Sequence, residues 1–206
     1  MNTQRRPNMN TRKLLLYMLP LLLGGCVPVL CLHPLYTKED IVLEKKLLGT
    51  WVDDVNNPET TWEFKRIDEP ENAYKLIFTD ENSKKGSFVA HLIKLQDKLF
   101  LDVCPSELPW EPDDPNTMDW PYNSFFLIPA HTFMKIDSIE PQLKMRLALE
   151  SDIEELLTED PNAVEHMTIG ERLVLTAPTR ELQAFVLKHA DDDTLFTDAV
   201  TLVSKK

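Results

Sequence analysis

Between residues 47 and 150 apolar and polar positions alternate, with turn residues at short intervals. Alternation of this period places one set of side chains on each face of a strand. In 61–66, Trp62 and Phe64 share one face, and Glu63 and Lys65 take the other. In 73–79, Tyr74, Leu76 and Phe78 line up. In 87–95, Phe88, Ala90 and Leu92 oppose Val89, His91 and Ile93. The same reasoning predicts strands at 47–52, 98–104, 124–128, 130–137 and 143–150. The turns at 70–72, 80–86 and 96–97 are short, so neighbouring strands run antiparallel. The expected class is mainly β (α+β), an antiparallel meander or barrel.

The pattern changes twice. Residues 105–122 hold five prolines together with Trp110 and Trp120, which predicts a long irregular loop. After residue 150 the apolar spacing becomes helical. Ser151 and Glu154 have the spacing of a capping box, so a helix should run to about residue 158. Thr179 is placed to cap a second helix to about 189, with Leu182, Phe185 and Val186 as its buried stripe. Strands are expected at 172–176 and 195–203.

Residues 1–25 stand outside this pattern. Arg5, Arg6, Arg12 and Lys13 precede the apolar run 14–23, and no acid occurs before Glu39. A basic region, an apolar run and then small residues make a secretory signal. The run closes on Leu23-Gly24-Gly25-Cys26, which resembles the lipobox of bacterial lipoproteins. That resemblance implies that Cys26 is the first mature residue and carries lipid, and that palmitate would label it. In diderm members a residue other than Asp after the lipid cysteine, here Val27, goes with the outer membrane. The residues alone leave an alternative, an uncleaved anchor over 14–32, close to the ~20 residues that span a bilayer. Pro20, Pro28 and the Gly24-Gly25 pair are poor interior residues for such a helix. Either Met1 or Met9 could start the signal. The expected organisation is a signal peptide at 1–25, a lipid-anchored tether and lead-in segment at 26–46, and a single mainly-β domain at 47–206.

Charge narrows the partners. The chain has 22 basic and 34 acidic residues, a net charge of −12. Loss of the four basic signal residues leaves 18 against 34, or −16. Nucleic-acid binding requires a basic footprint, which is missing. Attraction to anionic headgroups is equally disfavoured, so membrane attachment would rest on the acyl chains. With Cys26 acylated, Cys31 and Cys104 remain. An oxidising envelope permits a disulfide between them, and two separate thiols are the other reading. Gly49, Gly86 and Gly170 are the only mature glycines, too few for a phosphate-cradling loop. Zinc-type cysteine spacing and a Gly-x-Ser-x-Gly elbow are also missing, so no cofactor is expected.

Gly49-Thr50-Trp51 resembles the Gly-x-Trp opening of the lipocalin and wider calycin families. That resemblance implies an eight-stranded barrel whose closed end is plugged by Trp51 and whose interior holds a small apolar ligand or lipid. Other candidates come from the residues themselves. His91 and His131 fall in strands, and with Asp102 or Glu63 they could form a metal or acid–base site of a hydrolase. The plainer reading is two hydrogen-bonded structural histidines. Asp113, Asp114, Asp119 and Asp191 to Asp193 lack calcium-loop spacing and read as solvated acid. Trp110, Trp120, Tyr122 and Phe125 are the expected ligand or partner surface. The functional expectation is a non-catalytic, membrane-anchored envelope lipoprotein holding an apolar ligand. The alternative is a tethered module that docks an envelope protein through 105–122.

Overall fold

A computed structural model describes residues 27–205 apart from 57, 69, 71, 107–126 and 192–193. The strands are β1 (Leu30–Cys31), β2 (Gly49–Val52), β3 (Thr61–Ile67), β4 (Ala73–Thr79), β5 (Lys85–Leu95), β6 (Lys98–Pro105), β7 (Thr132–Ser138), β8 (Leu143–Leu147), β9 (His166–Ile169), β10 (Arg172–Leu175) and β11 (Asp198–Lys205). Two helices are α1 (Glu150–Glu159) and α2 (Thr179–Lys188). Eight strands close into a barrel in the order β11-β2-β3-β4-β5-β6-β7-β8, and β1-β10-β9 form a small sheet outside it. Every barrel pairing is antiparallel.

The period-two alternation becomes the inside and outside of this barrel. Trp51 pairs with Trp62, Trp62 with Phe78, and Phe64 with Leu76. Tyr74 pairs with Ala90, Leu92 with Leu101, and Leu101 with Met134. Directly paired residues share a face, so these rows run around the interior. Leu47, Phe64, Tyr74, Leu76, Ala90, Leu92, Leu101, Leu143, Met145 and Leu202 are each at most 1% exposed. Side chains therefore fill this part of the barrel.

One end is closed by the segment leading into β2. A single 3-10 turn, Lys45–Leu47, lies across it and buries Leu47. The Trp51 Nε1–H donates to the Leu47 carbonyl at 2.9 Å. The Tyr74 hydroxyl accepts from the Glu44 N–H at 2.7 Å and donates to the Glu44 carbonyl at 3.0 Å. The chain then turns into β2 at Gly49, whose φ of +123° is a region that only glycine enters readily.

A second core lies between the outer face of the barrel and the α/β layer. Ile93, Leu95, Phe100 and Phe133 point outward onto Ile153 of α1, Leu173 and Leu175 of β10, and Phe185 and Val186 of α2.

Several expectations are corrected. Residues 27–46 are not a free tether, because Val29 and Leu35 are fully buried and β1 pairs with β10. Ser151 does not cap α1. The helix starts at Glu150, whose carboxylate instead accepts from Arg172 Nε at 2.8 Å and from the Leu173 N–H. Thr179 lies inside α2 and donates its hydroxyl to the Pro34 carbonyl at 2.9 Å. In both places a tertiary hydrogen bond has replaced the local cap. Residues 127 and 128, read as strand, have no strand pairing.

Candidate functional sites

The barrel interior becomes less packed away from the plug. Trp62 and Phe78 meet edge to face at 5.1 Å. Phe78, Phe88, Leu147 and Val200 are half-buried on the same inner face. Phe88 folds back so closely over Gly86 that a Cβ there would lie 2.7 Å from its ring. This aromatic end is the less deeply buried part of the barrel interior.

Exposed apolar residues gather where β8 ends and β7 begins. Residues 27–31 run between those strand ends, with the Val29 N–H donating to the Ala148 carbonyl at 3.0 Å and the Cys31 N–H to the His131 carbonyl at 2.8 Å. In the small sheet Leu30 pairs with Val174, and Val174 with Met167. Leu30, Leu32, Met167 and Ile169 therefore share its outer face. Met167 and Ile169 are 47% and 57% exposed there, and Val27, Leu127 and Ile128 are also exposed.

The third arrangement lies on the outer face of β5–β6–β7. Asp102 is 1% exposed. Its Oδ1 is 2.7 Å from His131 Nδ1, and its Oδ2 accepts from the Leu35 N–H at 2.8 Å. Both carboxylate oxygens are thus engaged. His91 pairs with Asp102 across β5 and β6. The Tyr36 ring stacks on His91 at 4.3 Å and meets His131 edge-on at 6.4 Å.

These groups settle one another's charge. Burial disfavours the His131 cation, but hydrogen bonds and charge from Asp102 and Cys104 outweigh it and raise the pKa to about 10. Burial pushes His91 down, with Asp102 opposing and His131 adding to the fall. Burial, then Asp102, pushes the Cys31 thiol well up. Tyr36 is pushed up to about 12 by burial, Asp102 and Cys104.

His91, His131 and Asp102 are thus brought together, while Glu63 lies on β3, where it pairs with Ile77 and its carboxylate meets Lys65. Among the described residues no three metal-ligating groups converge. Cys31 and Cys104 are free thiols, not a disulfide. The register explains why: His131 lies between them, exchanging backbone hydrogen bonds with Cys31 and standing one step beyond the Val103–Thr132 pair, opposite Cys104. Two strand spacings separate the cysteines by ~9–10 Å, beyond the ~7 Å limit for bridging. Trp51 lies in the barrel interior, 3% exposed. Cys26, Trp110, Trp120, Tyr122 and Phe125 fall outside the described residues.

Sequence reasoning missed Tyr36 and the contact of Cys104 with His131. Cys104 lies near the end of β6, and His131 directly precedes β7. Successive antiparallel strands meet at their joined ends, and that was the available signal. No family model matches the chain, and no curated protein or solved structure is found to be similar to it.

Proposed function

We propose that this chain is a lipid-anchored envelope protein. It lies with the outer face of β1-β10-β9 against a membrane and receives an apolar ligand, such as a lipid acyl chain, at the aromatic end of its barrel. One observation carries the reading: the exposed apolar residues cluster where Cys26 joins the body. Val27 is already tied down, its carbonyl accepting from the Glu150 N–H at 2.9 Å. A lipid on Cys26 would start within one residue, ~4 Å, of that fixed point. So short a link holds Leu32, Met167 and Ile169 at the bilayer. The half-buried Leu147 and the start of β7 lie at the same end of the barrel, so its mouth opens beside the membrane. Packing of the deeper interior confines the ligand to Trp62, Phe78 and Phe88.

Radiolabelled palmitate tests the anchor. The wild type should be labelled and Cys26→Ala should not, and equal labelling of both overturns it. The face is tested with lipidated Met167→Glu/Ile169→Glu on zwitterionic vesicles. Burying one such side chain contributes ~1.5–3 kcal/mol. Both are already about half-buried, so losing both should weaken retention by at least about 10-fold. Unchanged retention would rule out the face and leave the anchor standing.

A further inference from the structure

Cys104, His131 and Asp102 lie on the barrel's outer face, with no part in ligand binding at the mouth or in the membrane contact. His131 Nδ1 is engaged by Asp102 Oδ1 at 2.7 Å, which leaves Nε2 as the free ring nitrogen. Asp102 is itself fixed by the Leu35 N–H, so it cannot rotate away from the ring. On the ring's other side the register places Cys104 opposite His131, and the thiol shares a hydrogen bond with the imidazole. Cys104 is half-buried and the His131 side chain is 17% exposed, so solvent and small reagents reach both. A nucleophile touching a base that is oriented by a third group is the arrangement shared by acyl-transfer enzymes on unrelated folds.

We propose that Cys104 is the nucleophile of a cysteine–histidine–aspartate site that acts on an activated acyl group, an ester or thioester, through a covalent thioester. Cys104 attacks the carbonyl carbon as the thiolate, its proton already held on His131 Nε2. The tetrahedral intermediate collapses by breaking the bond to the leaving alcohol or thiol, which takes that proton from His131. Water, deprotonated by the now neutral His131, then attacks the thioester, and the carbon–sulfur bond breaks to release the carboxylic acid and leave the Cys104 thiolate beside the reprotonated ring. No oxidant or further co-reactant is needed. Asp102 touches no reacting atom; it is a positioning residue that fixes the ring and offsets the imidazolium charge. Tyr36, packed against both imidazoles and holding its proton well into the alkaline range, is a hydroxyl donor for the oxyanion on the same face. Cys31 is the built-in control: it is 1% exposed, and its thiol is held protonated by burial.

The test uses the lipidated full-length protein in detergent with p-nitrophenyl acetate. The wild type should release one equivalent of p-nitrophenolate in a burst, with the acetyl group found on Cys104 by peptide mass spectrometry. Cys104→Ala should abolish burst and adduct, and Cys31→Ala should keep both. Asp102→Asn should slow acylation by about 100-fold, on the scale of lost acid–base assistance. It should also shift the pH profile of acylation in step with the His131 titration seen by NMR, a coupling that a merely structural aspartate would not produce. A burst that survives Cys104→Ala, or acetyl found only on lysines, overturns the proposal. So does a wild type that forms no adduct, whatever the variants do.

Discussion

Replacing Asp102 by Asn should cost stability in a way that depends on pH, and the structure gives the direction. The substitution keeps shape and removes one charge. Oδ2 of Asp102 must still accept from the Leu35 N–H, so the Asn oxygen is committed there and its NH2 faces His131 Nδ1. That contact is a hydrogen bond only if the imidazole is neutral. In the wild type His131 has a folded pKa of about 10 against 6.5 for the free side chain. A raised folded pKa contributes stability that is fully present below pH 6.5 and is lost as pH rises through 10. At about 1.4 kcal/mol per unit the ceiling is about 5 kcal/mol. Cys104 supplies part of the shift and survives the substitution. The expected loss is therefore about 2–4 kcal/mol at pH 6, shrinking to about 1 kcal/mol or less at pH 10.5. Urea unfolding of both proteins at the two pH values measures it, and His131 NMR titration reports the cause. A loss equal at both pH values would refute the charge argument, as would a wild-type His131 that titrates near 6.5.

Tyr74→Phe removes a fully buried hydroxyl that both donates to and accepts from the Glu44 backbone. It should lower stability by about 1–2 kcal/mol in urea, and an unchanged midpoint would mean that the plug segment is held by packing alone. Gly86→Ala should force the Phe88 ring aside, because the new Cβ would sit 2.7 and 2.8 Å from two of its atoms. The expected outcome is a loss of about 1–3 kcal/mol with altered affinity for an apolar fluorescent dye, and unaltered affinity would remove Phe88 from the mouth.

The barrel was legible because its inner face must repeat every second residue. Trp62, Phe64, Tyr74, Leu76, Phe78, Phe88, Ala90 and Leu92 could be placed on one face before closure was known. Closure was less legible, since it depends on the long-range pairing of β11 with β2 and β8. β1 and β9 span two and four residues, too short for a period to register, and they exist because the second core needs covering. The caps at Ser151 and Thr179 misled for a related reason: Glu150 and Thr179 found stronger partners in β10 and the Pro34 carbonyl. The cluster around Asp102 was half visible. His91, His131 and Asp102 could be nominated from the strands, but the place of Cys104 depends on register across residues 107–126.

The reading of this chain as a membrane-lying lipoprotein is tested most directly by hydrogen–deuterium exchange of the lipidated protein, free in detergent and bound to vesicles. Binding should slow exchange in β1 and β9, at Leu30–Cys31 and His166–Ile169, and leave the β3–β4 turn at the plugged end unchanged. Protection at the plugged end with none in β9 would contradict it.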